Sequence, residues 1–169
     1  ENIEKSAQFH NDRHVIKMPL EMAQMLSTNL YILNGITSKA QSFREEDKLK
    51  VIFKDFPKKS STSERFRDYY MMYNPNHPCT IWLRESEENT RYGIHLMYHL
   101  LNEYKYRYSK QGILYDICLW MHDNYNFELF QNYELTPFAQ ALPIELQNEN
   151  AVIAYRNYYM RDKRHLAKW

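Results

Sequence analysis

Apolar residues recur at steps of three and four along the first segment of the chain. Val15, Met18, Met22, Met25, Leu26 and Leu30 fall on one side of a helical path from Ile3 to Leu33, and Asn34-Gly35 supplies the stop. Pro19 lies within that path. Because proline lacks a backbone donor and its ring crowds the preceding turn, the spacing predicts a break near Met18-Pro19. From Thr37 to Ser63 the periodicity fades. Only Val51, Ile52 and Phe53 make an apolar island, and Pro57-Lys58-Lys59 followed by Ser60 to Ser63 reads as a polar, mobile excursion over residues 37–63. A short helix is expected between Glu64 and Tyr73, then a turn over Asn74 to Pro78.

The helical period returns at Cys79 to Leu83. It strengthens from Glu87 to Tyr108, where Leu96, Met97, Leu100, Leu101 and Tyr104 share the buried side and Ser86 is placed to cap the first turn. Ile113 to His122 predicts a further apolar helix. Phe127 to Leu142 is irregular, with Pro137 and Pro143 punctuating this stretch and its end, and Ala151 to Lys168 closes the chain as a helix. No segment repeats with a period of roughly 20–50 residues, which excludes a solenoid. The pattern predicts a single, compact, all-α domain over residues 1–169, with a C-terminal aromatic-basic helix.

Composition supports that reading. Only 3 glycines disfavour a fold rich in hairpins, while 15 tyrosines supply many amphipathic rings. No run approaches the roughly 18–20 apolar residues of a membrane span, and no leader pattern opens the chain, so a soluble intracellular protein is expected. Cys79 and Cys118 lack metal-type spacing and read as two reduced, buried thiols. The chain starts at Glu1 rather than Met, so Glu1 is not taken as the mature terminus.

A net charge of +1 conceals two basic stretches. Lys39 to Asp68 carries nine Lys/Arg against six Asp/Glu, and Tyr155 to Trp169 carries five against one. In the second, Arg156, Arg161, Lys163, Arg164 and Lys168 alternate with Tyr155, Tyr158, Tyr159 and Trp169, a pattern that can follow phosphates and offer rings to bases, or simply form a solvated face.

Candidate chemistry clusters on two helices. His10, His14, Lys17 and Glu21 are spaced four, three and four residues apart and share a face that offers acid-base groups beside an anion contact. The alternative is a plain polar surface with a Lys17-Glu21 pair worth about 0.2–0.5 kcal/mol. His95, His99 and Glu103 repeat the four-residue step and provide a weaker, metal-binding alternative without an obvious fourth ligand. In the run EYKYRYSK, Arg107 stands one turn after Glu103, and Lys110 follows. There is no Gly-rich phosphate loop, nucleophile elbow or Cys cluster, and nothing calls for a cofactor.

Three segments, HNDRHVIKMPLEMAQMLST, NHPCTIWLRESEENTRYGIHLMYHLLNEYKYRYSK, and LTPFAQALP with AYRNYYMRDKRHLAKW, cover about half of the chain. They resemble a family of small proteins of bacteriophages and large DNA viruses, itself distantly similar to the pyrimidine-dimer DNA glycosylases. That resemblance implies an all-α enzyme acting on double-stranded DNA in the cytoplasm of an infected host cell, extruding a nucleotide and attacking the sugar with an amine to form an imine.

Glu21, Lys17, His14 and Glu103 are then the catalytic candidates. Arg84, Arg107, Lys110, Tyr155, Arg156, Tyr158, Tyr159, Arg161, Lys163 and Arg164 are the nucleic-acid contacts, and His10, His77 and Trp82 line the substrate pocket. The chain departs from the glycosylases in having Lys17-Met18 where they place an Arg-Glu pair, with Glu21 the nearest glutamate. Their nucleophile is the amine of the mature N-terminus. In this scheme His77-Pro78 fixes the start of the central helix pair, Trp82 packs or stacks, and Arg84 points at the His14, Lys17, Glu21 face; in the alternative Trp82 is core and Arg84 ties down a loop carbonyl. Two other classes stay open: a non-catalytic nucleic-acid- or protein-binding accessory factor, and a metal-dependent nucleotide hydrolase.

Overall fold

The computed structural model describes residues 2–57 and 69–166. Those residues form helices and connecting coil with no strand, so the chain is all-α. Asn2 caps α1 (Ile3–Gln8), its Oδ1 accepting from Lys5 N–H at 2.9 Å. Asn11 caps α2 (Asp12–Leu33) in the same way, accepting from His14 N–H at 3.0 Å. The break in the first segment therefore falls at Phe9 to Asn11, and α2 runs unbroken through Pro19. The missing Pro19 N–H removes one bond to the carbonyl of Val15, a loss of about 3 kcal/mol or more in an isolated helix. Here Val15, Pro19, Ala23 and Leu26 are all buried in the interior, and that packing offsets it.

α3 (Lys39–Arg44) and α4 (Glu46–Ile52) correct the expectation of a polar excursion. Leu49, Phe53 and Phe56 are buried in the main core beside Tyr31, Tyr69 and Trp120, and Trp120 Nε1–H donates to the Lys54 carbonyl at 2.9 Å. Residues 58–63, and most of the helix expected from Glu64, lie outside the described residues; Tyr69 to Tyr73 are non-helical.

α5 (Pro78–Glu85) and α6 (Glu87–Tyr108) form the centre of the fold against α2. His77 caps α5 through Nδ1, which accepts from Cys79 N–H at 3.2 Å, and Ser86 Oγ caps α6 by accepting from Asn89 N–H at 3.1 Å. α6 passes so close to its neighbours at Gly93 that a Cβ there would stand 2.5 Å from Leu83 Cδ2 and 3.2 Å from Met22 Sδ.

Buried polar side chains brace these helices. Asn29 Nδ2 donates to the Thr80 carbonyl, and Thr90 Oγ1 donates to that of Leu83. Asn89 binds the Trp82 carbonyl and both the N–H and hydroxyl of Thr136. α7 (Ile113–Asn124) closes the main core with Ile117, Trp120 and Met121, while Ala7, Val15 and Leu100 form a smaller core under α1.

After α7 the chain is irregular apart from two short 3₁₀ turns, Phe127–Leu129 and Ile144–Leu146, before α8 (Ala151–Tyr158). α8 widens into one π-helical turn, Tyr159–Lys163, and a 3₁₀ turn, Arg164–Leu166. The helix expected to Lys168 is thus regular only as far as Tyr158, and Lys168 and Trp169 lie outside the described residues. Among the described residues no helix is long and apolar enough to cross a membrane.

Candidate nucleotide-binding face

The junction of α1 and α2 places the first functional group. The His10 ring turns back on α1, where its Nδ1–H donates to the Ser6 carbonyl at 2.7 Å. From below, α6 clamps this junction through Arg107. Its guanidinium donates to Glu103 Oε1 at 2.7 Å, Asp12 Oδ1 at 2.9 Å, the His10 carbonyl at 2.9 Å and the Gln8 carbonyl at 3.0 Å. Burial opposes the Arg107 charge, but the bonds to Glu103 and Asp12 outweigh it and raise its proton affinity above the usual value.

One turn into α2, His14 stands with its ring centroid 6.2 Å from that of His10. The C-terminal segment reaches it: Tyr159 Oη lies 2.7 Å from His14 Nδ1, with the rings edge to face. Burial is the main cause that lowers the proton affinity of both imidazoles. Arg107 adds to it at His10, and His10, Lys17 and Lys163 add to it at His14, with Glu21 opposing. Burial also pushes the Tyr159 phenol up to about 12, so it stays protonated.

Beyond His14, Lys17 Nζ pairs with Glu21 Oε1 at 2.7 Å on the open side of α2. Glu21 is near enough to Cys79 of α5 to act on its thiol. Burial, foremost, raises the Cys79 pKa, while a bond to the Tyr155 hydroxyl works against it. The Tyr155 hydroxyl also donates to the Ala139 carbonyl at 3.1 Å, which fastens α8 to the preceding coil.

On α2 a second row, Ile16 and Leu20, runs one residue behind Lys17 and Glu21, about 100° around the helix, and is 52% and 38% exposed. Phe9, 70% exposed, stands in the break before α2 beside His10 in the chain, so apolar surface open to solvent accompanies the polar groups. A cavity of about 90 Å³ lined by Asp12, Arg13, His165 and Leu166 opens beside it. That is far below the roughly 300–1,000 Å³ of ligand pockets, so the site is a surface rather than an enclosed chamber.

His10, His14, Lys17, Glu21, Tyr159 and Lys163 thus gather on one side of the molecule, with Arg107 and Glu103 at its foot. Lys110 is exposed just past the end of α6. Other candidates lie elsewhere or are engaged. Arg84 does not point at this face: Nη1 donates to the Pro75 carbonyl at 2.7 Å and lies 3.4 Å from Asn29 Oδ1, so it ties down the turn before α5. Trp82 is 7% exposed and packs against Tyr92 and Phe138, which makes it core rather than a pocket wall. His77 serves as a helix cap.

Along the tail, Arg161 is held by Asp162 at 2.8 Å and approaches Glu145 at 3.4 Å. Lys163 Nζ lies 5.4 Å from the centre of the Tyr158 ring, and Arg156 and Arg164 are exposed. Glu103 is taken up by Arg107, which removes it from His95 and His99. Among the described residues no group of three or more His, Cys, Asp or Glu is arranged to hold a metal ion.

The tyrosine that completes the site, and the exposed Phe9, Ile16 and Leu20, were not assigned these places from sequence. The one-residue offset of Ile16 and Leu20 from Lys17 and Glu21 was visible; the Tyr159-His14 contact, 145 residues apart in the chain, had no local signal. No family model, curated protein or solved structure matches the chain.

Proposed function

We propose that this is a DNA-acting protein that receives a nucleotide on the α2 face, with base-excision chemistry of the glycosylase type centred on Lys17 and Glu21. The observation that carries the reading is the Tyr159-His14 bond, because it joins the imidazole row to the basic-aromatic tail and brings Lys163 beside it. Cations along the rim suit phosphates, and the exposed Phe9, Ile16 and Leu20 suit the flat face of an unstacked base. In the chemistry proposed, Glu21 takes a proton from its Lys17 partner, and the freed amine adds to C1′ of the sugar as the bond to the base breaks, its electron pair leaving on the base, to which Glu21 passes that proton. A proton moving from the added nitrogen to the ring oxygen then opens the sugar to the imine.

Borohydride reduction in the presence of damaged or modified duplexes should trap a covalent protein-DNA adduct with the wild type and not with Lys17→Ala. Glu21→Gln should retain DNA binding and lose about 10²- to 10⁴-fold in rate. A second reading is favoured by the openness of the face and the small adjoining cavity: a non-catalytic factor that binds DNA. It predicts salt-sensitive DNA binding with no trapped adduct on any substrate. Absence of DNA binding by the wild-type chain would remove both.

A further inference from the structure

Two hydrogen bonds, one to a backbone carbonyl and one to a phenol, fix the state of the imidazole pair. The partner of His10 Nδ1 is the Ser6 carbonyl, which has no proton to give, so Nδ1 must carry the hydrogen and Nε2 holds the lone pair in the neutral ring. At His14 the partner is a phenol. The hydroxyl is the better acid and the imidazole nitrogen the better acceptor, so Tyr159 O–H donates to Nδ1 and the hydrogen of the neutral ring sits on Nε2.

Neither Nε2 has a protein partner among the described residues. Nor is either one sealed away: the only buried side-chain nitrogens or oxygens there that lack a partner are Ser27 Oγ and Thr80 Oγ1. The ring centroids are 6.2 Å apart and the planes are tilted by 59°, so the two imidazoles are direct neighbours.

We infer that Ser6 and Tyr159 lock His10 and His14 as opposite tautomers, an acceptor beside a donor, and that the pair takes the uncharged lactam edge of a nucleobase, a carbonyl next to an N–H, rather than a phosphate. The inference rests on the nucleotide-binding reading of this face. A lactam matches the pair: its N–H donates to His10 Nε2 and its carbonyl accepts from His14 Nε2–H. The unesterified oxygens of a backbone phosphodiester carry no proton and only accept, so one would face the lone pair of His10 unmatched. Burial is the main cause that keeps protons off these rings, aided by Arg107 at His10 and by Lys17 and Lys163 at His14; the Ser6 carbonyl opposes it at His10 and Glu21 at His14, and the net direction is down for both, so the neutral forms persist at neutral pH. Phosphates are left to the exposed cations of the rim. Tyr159 is therefore a positioning residue acting through His14.

Long-range ¹H–¹⁵N spectra of the full chain with labelled histidine, recorded at pH 7 without nucleic acid, read the tautomers directly. His10 should carry its proton on Nδ1 and His14 on Nε2. Uridine should shift both side chains. 3-Methyluridine, which lacks the N–H, should bind at least about tenfold more weakly, and dimethyl phosphate, a diester with no proton to donate, should leave both unmoved. Tyr159→Phe, checked for helical content by circular dichroism, should release His14 into a mixture of tautomers and weaken uridine. The inference is overturned by an Nδ1–H form of His14, by two charged rings at pH 7, by equal binding of uridine and its methyl analogue, or by dimethyl phosphate moving the rings as uridine does. DNA binding measured separately by fluorescence anisotropy distinguishes the failures. If it persists, only the tautomer inference falls; if it is absent, the nucleotide reading falls as well.

Discussion

Replacing Arg107 with alanine removes the fork by which α6 holds the α1-α2 junction. The side chain is 16% exposed and makes four hydrogen bonds, two to carboxylates and two to backbone carbonyls. Breaking a buried ion pair by deleting one partner costs about 3–5 kcal/mol, and bonds involving a charged group contribute about 1.5–3 kcal/mol each without adding simply. Asp12 is 40% exposed and water can reach its carboxylate once the guanidinium is gone, so the expected loss is about 2–3 kcal/mol. For a chain of this size each kcal/mol shifts Tm by about 2–4 °C, so a fall of about 4–12 °C is expected by calorimetry. Arg107→Lys should recover less than half, because one ammonium cannot span Glu103, Asp12 and both carbonyls. Hydrogen exchange should show the loosening concentrated in α1. A loss under about 0.5 kcal/mol, or exchange that rises evenly through the domain, would refute the clamp.

Three further outcomes follow. Gly93→Ala should destabilise by about 1–2 kcal/mol in urea titrations, since overpacking against the buried Leu83 exceeds the roughly 1 kcal/mol gained in helix propensity; a more stable variant would show that the α5-α6 contact can yield. His10 and His14 bind protons less readily in the fold than at their ordinary 6.5, so the unfolded chain takes up protons first as pH falls. Stability should therefore hold above about 6.5 and decline below it towards the lower folded values, and His10→Gln should flatten that decline. In DNA titrations against salt, Lys163→Ala with Arg164→Ala should reduce the log-log slope by about one to two units. Arg161→Ala, already paired with Asp162, should change it less; equal effects would dissolve the distinction.

Where a cap and a helical period agree, the structure follows them. The bounds of α6 were legible because Ser86 is a strong cap and the apolar positions from Leu96 to Leu101 keep the helical period. At the first helix the cap at Asn11, not Pro19, sets the break. A proline penalty is local, whereas the burial that overrides it comes from other helices. The stretch around Leu49, Phe53 and Phe56 looked polar because three well-placed side chains suffice to dock two short helices, too few to register as a period.

At the site, the shared face of His14, Lys17 and Glu21 on α2 was readable from spacing, and so was the reach of Arg107 to Glu103; His10 stands in the break before α2 and meets His14 through the turn rather than through a helical step. Arg84 was not: a charge next to an apolar helix start fits a site or a loop anchor equally well, and only the position of the Pro75 carbonyl decides it.

The π-helical turn at Tyr159–Lys163 makes the end of the chain a matter of counting as well as chemistry. A π turn holds one residue more than the α geometry around it, often at functional positions. Were the same five residues wound as regular α-helix, the extra residue would be carried forward and everything beyond would rotate by about 100°. Lys163, Arg164 and His165 would then keep their identities yet face a different quarter of the surface, whereas deleting one residue of the turn, such as the 71% exposed Met160, would let the helix close and leave the phasing between the tail and α2 in place.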